Sequence, residues 1–189
     1  MKEIILASAS PRRKQLLDLA AIPCKVIPAN IEESYPPGLT PEKIAEHIAT
    51  EKALFIREIL APNSHDNTIL SADTIVVLGD EIIGKPLDRN DAIKILAKLS
   101  GNEHKVITGV CLLNNAKKYI FSETTFVQFN RLTQEQIEFY VDKFKPFDKA
   151  GAYAIQEWIG AIGIQSIRGD FYNVMGLPIN RIVKELNKL

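Results

Sequence analysis

Asp73 interrupts an otherwise apolar run, Ile69-Leu70-Ser71-Ala72-Asp73-Thr74-Ile75-Val76-Val77-Leu78. A run of this kind reads as a strand covered on both faces. A carboxylate inside it is costly unless it is paired, hydrogen-bonded or bound to a metal. Tying down a neighbouring loop and doing chemistry both suit it, and buried acids concentrate at active sites. Lys52 poses the converse problem. Stepping by four and three along the apolar stripe Ile44, Ile48, Phe55, Ile59 lands on Lys52, so an ammonium shares a core-facing helical stripe. It can snorkel along the helix edge or point into a pocket at an anion. The third anomaly is Leu6-Ala7-Ser8-Ala9-Ser10-Pro11-Arg12-Arg13. Two guanidiniums stand in a first helical turn, where the dipole disfavours cations unless an anion sits between them. A bound anion and a plain capped helix with two solvated arginines are both compatible with that pattern.

Weaker candidates surround these. Glu32 and Glu33 are adjacent carboxylates at the end of an expected strand, so at most one of them enters a cleft. Lys85 precedes Pro86 and is therefore held extended. Asp148 and Lys149 suit an internal ion pair or ligand contacts, and Gln156 pairs a donor with an acceptor, as reading a base edge requires. Donors at Ser8–Arg13, Lys52 and Lys85 with carboxylates at Asp73 and Glu33 are together what a polyphosphate with a bridging divalent cation needs. No Gly-x-x-x-x-Gly-Lys-Ser/Thr segment is present, which argues against an ordinary P-loop nucleotidase. Periodicity alone stops at an α/β domain for which phosphate binding is one reading and other ligands stay open.

The elements that must position these residues read as follows. Glu3–Leu6 is a short strand feeding a helix with Ser10 as cap and Pro11 in the first position. Cys24–Pro28 is a second strand running into Ile31-Glu32-Glu33. A helix opens at Thr40-Pro41 and runs to about Leu60, followed by a surface loop over 62–67. The Asp73 strand turns at Gly79-Asp80 into Glu81-Ile82-Ile83, a hairpin that, if tight, returns Lys85 close to Asp73 in the chain pairing. Asp88 with Asp91 starts a helix through Leu99. His104–Leu113 is a strand turning at Asn114-Asn115, and Lys118–Phe121 and Glu123–Phe129 are two more. Thr133–Gln136 is a capping box for a helix through Val141. Ile162–Ile167 and Phe171–Val174 read as a hairpin about Arg168-Gly169-Asp170. Gly176-Leu177-Pro178 opens a last helix burying Ile179, Ile182, Val183, Leu186 and Leu189.

Composition sets outer limits. The 189 residues suit one domain in two lobes, and 46% apolar content is that of a globular chain. Lysine plus arginine and aspartate plus glutamate balance at 23 each, which counts against a broad nucleic-acid face and makes any phosphate site local. Cys24 and Cys111 lack metal-type spacing and are expected as buried free thiols. His47, His65 and His104 are too scattered for a metal site. With no signal-peptide pattern and no membrane-length apolar run, a soluble cytoplasmic protein is expected.

Seven segments occur together and in order. They are Ala7-Ser8-Ala9-Ser10-Pro11-Arg12-Arg13, Ile31-Glu32-Glu33, Glu51-Lys52-Ala53, Ala72-Asp73-Thr74, Gly84-Lys85-Pro86, Asp148-Lys149-Ala150-Gly151-Ala152-Tyr153 and Gly176-Leu177-Pro178. Across essentially the whole chain this set resembles the Maf family, the septum-formation-inhibitor-like nucleoside triphosphate pyrophosphatases. The resemblance implies an α/β fold like that of inosine triphosphate pyrophosphatases, with a long mixed sheet, flanking helices, a cleft between two lobes and a homodimer. It implies cleavage of a nucleoside triphosphate between its α- and β-phosphates with a divalent cation (Mg2+, Mn2+ or Co2+), and a link to cell division. The family's functional residues fall on Ser8, Arg12, Arg13, Glu33, Lys52, Asp73, Lys85 and Gln156. On this reading Ser8 and Arg13 hold phosphate oxygens and Lys52 and Lys85 balance charge on the leaving group. Asp73 and Glu33 place the metal, Asp73 activates water, and Arg12, Thr74 and Gln156 face the base. The last three resemble the dTTP/UTP-cleaving branch more than the branch that takes 7-methyl-GTP. Gly84 departs from the many relatives that carry an acid there. A non-catalytic nucleotide-binding regulator of cell division and a pyrophosphatase for modified purine triphosphates are the alternatives.

Overall fold

The structure is a computed structural model and describes residues 2–60, 67–114 and 117–188. Residues 62–66 of the loop expected over 62–67, with His65, and also Asn115 of the expected turn and Leu189 lie outside the described residues.

Among the described residues seven strands form one sheet, β1 (Ile4–Leu6), β2 (Cys24–Val26), β3 (Thr68–Leu78), β4 (Glu81–Ile83), β5 (Glu103–Asn114), β6 (Lys117–Phe129) and β7 (Ile164–Arg168). The strand order is β2-β1-β3-β5-β6-β7, with β4 pairing on β3. β1 runs parallel to β2 and to β3, whereas β3 with β4 and β6 with β7 are antiparallel, so the sheet is mixed. The helices are α1 (Pro11–Leu19), α2 (Pro41–Leu60), α3 (Arg89–Leu99), α4 (Gln134–Phe144), α5 (Trp158–Gly163), α6 (Phe171–Met175) and α7 (Ile179–Leu186).

The chain divides into two compact units. One comprises Met1–Asp73, Thr108–Glu123 and Gly176–Leu189, and the other Thr74–Ile107 and Thr124–Met175. In the first, Ile5, Ala49, Ala53, Ile56, Ile69, Cys111 and Leu113 pack together. Gly109 of β5 is obligatory there, since a Cβ would lie 2.2 Å from the Ala45 carbonyl carbon of α2. Helix and strand therefore meet backbone to backbone. In the second unit, Val76, Leu96, Val106, Phe129, Ile137, Tyr140 and Tyr153 build the core.

Local chemistry explains the element ends. Asp88 caps α3 by accepting the Asp91 N–H at 2.8 Å, and Asp91 in return accepts the Leu87 N–H at 2.9 Å. Thr133 and Gln136 make the expected capping box on α4, which runs on to Phe144. The two-residue turn Gly79-Asp80 sets Leu78 opposite Glu81, with Gly79 at φ 59°.

Several expectations need correction. Ile31–Glu33 is not a strand but part of an irregular segment after β2. Lys118–Phe121 and Glu123–Phe129 are one continuous strand, β6, which runs unbroken through the polar Ser122-Glu123 pair and alternates in burial from Thr125 to Phe129. Phe171–Val174 is helical, so the expected hairpin about Arg168-Gly169-Asp170 does not form; β7 pairs with β6 instead, Val127 opposite Ile167. On α2 the buried face centres on Ala45, Ala49, Ala53 and Ile56, and its three alanines are small residues that a count of large apolar side chains overlooks. Ile59 consequently lies round the flank, 57% exposed. Cys111 is buried, but Cys24 is only half-buried on the short β2.

Candidate active site

Unit one supplies an ionic cluster. β3 presents Ser71 and Asp73 on one face, because alternate residues of a strand share a side. α2 lies against that face, the Ser71 hydroxyl donating to the Ala49 carbonyl at 2.5 Å. One helical turn beyond Ala49 is Lys52, and its ammonium donates to Asp73 Oδ1 at 2.7 Å and to Glu33 Oε1 at 2.6 Å. Lys52 and Asp73 are each only 7% exposed, while the Glu33 side chain is 41% exposed. Lys52 thus does not snorkel. Its charge is aimed inward at two carboxylates, and Asp73 is paired as a buried acid must be.

Arg13 forms the second half of the cluster. It is 8% exposed, and α1 holds it by burying its neighbours Leu16 and Leu17. Its Nη1 donates to the Ala72 carbonyl at 2.7 Å and to the Ser8 hydroxyl at 3.0 Å, and its Nε donates to the Gly176 carbonyl at 2.8 Å. Burial lowers the guanidinium's pKa. The charges of Asp73 and Glu33 oppose that shift and the neighbouring Arg12 adds to it. A guanidinium remains charged under such a shift, so its field reaches both carboxylates. Ser10 occupies the capping position of α1 by backbone conformation only. Its side chain makes no cap bond, and its N–H donates to Ser8 Oγ at 3.2 Å. The expectation of a Ser10 cap is thereby corrected: Ser8 supplies the acceptor in the turn. Arg12 is half-buried beside this turn.

A hollow of about 250 Å³ adjoins the Glu33 segment, between Ile31 and the Leu54 and Phe55 side of α2, with His47 and Glu51 on its wall. Among the described residues no group of three His, Cys, Asp or Glu side chains is placed to hold a metal ion.

Unit two carries the other candidates. Thr74 follows Asp73 in β3 and faces the other side of the strand, half-buried. Lys85 is exposed in the loop after β4, and the Gly151 N–H donates to the Gly84 carbonyl at 3.1 Å, joining that loop to the Asp148–Tyr153 segment. Lys149 is buried, 2.7 Å from Asp148 Oδ1 and 3.7 Å from Glu157 Oε1. Gln156 is exposed at a turn. Residue type alone does not mark the groups around that turn. His104 reads only as one histidine among three, and a phenol on a helix carries no mark of its partners. Yet the Tyr140 hydroxyl donates to Glu157 Oε2 and accepts the Ala154 N–H, and His104 Nε2 lies 2.8 Å from the Tyr153 hydroxyl.

The architecture defined by this sheet and its helices is that of an open, mixed α/β fold. It is shared with the Staphylococcus aureus Ham1 protein at a TM-score of 0.50 and 20% identity, over 97% of this chain and all of that one. The chain belongs to the Maf family, whose description, Maf-like protein, matches residues 3–189. A relative from Phocaeicola vulgatus named dTTP/UTP pyrophosphatase is 49% identical over 99% of this chain and 96% of its own. Relatives of the same name from Bacteroides thetaiotaomicron and Ruminiclostridium cellulolyticum are 46% and 47% identical, over 99% and 100% of this chain and 96% and 97% of their own.

Proposed function

We propose that this chain hydrolyses dTTP and UTP to the monophosphate and pyrophosphate. Water attacks the α-phosphorus, the bond from that phosphorus to the oxygen bridging to the β-phosphate breaks, and pyrophosphate leaves. The observation that carries the reading is the Lys52 ammonium held between Glu33 and Asp73 beside the buried Arg13 charge. Relatives at 46–49% identity named for that activity support it.

The Ser8 hydroxyl and the positive end of α1, backed by the Arg13 charge, hold phosphate oxygens. Arg13 also keeps Ser8 and the Ala72 carbonyl, next to Asp73, in fixed relation. Asp73 takes the proton of the attacking water, and Lys52 orients its carboxylate. Lys52 and Lys85 offset charge on the departing pyrophosphate. Arg12, Thr74 and Gln156 face the base.

Glu33 and Asp73 direct carboxylate oxygens at one point, the Lys52 nitrogen. Two hard oxygen donors completed by substrate phosphates are what Mg2+, Mn2+ or Co2+ accepts, and Glu33 and Asp73 are the residues that would hold such a cation. When bound, such an ion supplies neutralisation of phosphate charge.

The test is incubation with dTTP and UTP and each of the three metals, with separation of monophosphate, pyrophosphate and orthophosphate. Equimolar monophosphate and pyrophosphate are expected, at higher kcat/KM than from 7-methyl-GTP or dATP. Orthophosphate released stepwise, or binding without turnover, overturns the reading. The protein works in the cytoplasm as a homodimer, which sedimentation checks. Among the described residues no helix is long and apolar enough to cross a membrane.

A further inference from the structure

Gln156 is exposed, yet the turn that carries it is fastened on every side. The Glu157 N–H donates to the Ala154 carbonyl at 3.1 Å and the Gly160 N–H to the Glu157 carbonyl at 2.9 Å. The Ile155 carbonyl lies so close to Gly160 that a Cβ there would sit 1.7 Å from its oxygen, so α5 begins in direct backbone contact with the turn. From the opposite side one hydroxyl holds two points. Tyr140, 0% exposed on α4, accepts the Ala154 N–H at 3.1 Å and donates to the Glu157 carboxylate. Lys149 faces the other oxygen of that carboxylate at 3.7 Å. Residues 154 and 157, the two that bracket Ile155-Gln156, are thus linked through one phenol oxygen.

A side-chain amide can discriminate among bases only if its donor and acceptor are presented in a fixed direction, because a mobile amide satisfies any edge. We propose that Tyr140 is a positioning residue for substrate selection, fixing through Ala154 and Glu157 the backbone from which the Gln156 side chain reaches the base. The proposal rests on the reading of Gln156 as the base-facing residue.

The test compares kcat/KM for UTP with that for dATP in the wild type, Tyr140→Phe, Gln156→Ala and the double variant, with melting temperature alongside. Tyr140→Phe is expected to lower the UTP preference about tenfold through KM, the loss of a hydrogen bond or two, with kcat held within about twofold. The double variant is expected to lose no more preference than Gln156→Ala alone. Glu157→Ala, which removes the acceptor from a half-buried position, gives the same ratio change if Tyr140→Phe fails to fold, and Glu157→Gln, which keeps an acceptor for the phenol, restores it. If Gln156→Ala lowers the preference and Tyr140→Phe lowers only the melting temperature, the positioning role is overturned and the reading of Gln156 stands. If Gln156→Ala leaves the preference unchanged, the reading of Gln156 fails, and the proposal with it.

Discussion

Lys52 Nζ and Asp73 Oδ1 are 2.7 Å apart, in side chains that are both almost wholly enclosed. Either charge is costly at its position without an opposite partner. An ammonium on the packed face of α2 and a carboxylate in the middle of β3 each need the other, and Glu33 supplies the second contact to the ammonium.

Asp73→Asn should therefore keep its fold, because Lys52 retains Glu33, but lose turnover. A fall in kcat of about 10³-fold is expected from removal of the proposed general base. Steady-state kinetics beside a far-ultraviolet circular dichroism spectrum check this, and near-normal turnover in a folded variant removes Asp73 from the reaction.

Lys52→Met leaves two carboxylates facing one another with no cation between them. Stripping one partner from a buried pair costs about 3 kcal/mol, which lowers the melting temperature by roughly 6–12 °C in a chain of this size. Calorimetry without added metal measures it. An unshifted transition would mean that the ion pair contributes nothing to the folded state.

His104 gives stability a dependence on pH. Burial depresses its pKa from 6.5 to about 4, and it packs edge-on against Phe129 and Tyr153. The folded state keeps the ring neutral where the unfolded chain binds a proton. This contribution is full above pH 6.5 and is lost as pH falls through the window down to about 4, to a total of about 3 kcal/mol. Urea titrations at pH 7, 6 and 5 should show the decline, and His104→Gln, an amide able to reach the Tyr153 hydroxyl, should flatten it. A wild-type curve flat over that range contradicts the assignment.

Gly109→Ala places a methyl carbon inside van der Waals contact with the Ala45 backbone. Because neither strand nor helix backbone yields cheaply, a loss of about 2–3 kcal/mol is expected. Denaturant unfolding reads it directly, and a midpoint equal to that of the wild type would show that α2 shifts freely.

The thiols should differ sharply. Burial raises the Cys111 thiol to about 11, in a core position, whereas Cys24 is half-buried, its pKa also raised by burial. An aromatic disulfide reagent at pH 8 should label Cys24 slowly and Cys111 only after unfolding. Rapid release of two equivalents from the native protein would refute the burial of Cys111.

Much of this fold is legible in the sequence because the signals are local. The Asp88–Asp91 and Thr133–Gln136 caps mark helix starts, Gly79-Asp80 marks a hairpin, and the apolar run about Asp73 marks a covered strand. Periodicity also picked out Lys52 and Asp73 as misplaced charges, although it could not say that they were each other's answer. The failures lie where structure depends on distant partners. Helices α5 and α6 are six and five residues long, too short for periodicity to separate from a strand pair, and their placement follows from packing and from β7 joining β6. The carbonyls of Ala72 and Gly176 that receive Arg13, and the amide of Ala154 that meets Tyr140, are backbone groups with no signature in residue type.

Arg13 is held by groups from residues 8, 72 and 176, so one guanidinium closes a loop of 163 residues. On the ribosome this has a plain result. The Ser8 turn and α1 emerge early, but a nascent chain that has not yet exposed residue 176 lacks an acceptor the finished protein provides. On the proposed function, the turn that holds phosphate oxygens is complete only late in synthesis, when the segment carrying residue 176 docks on Arg13.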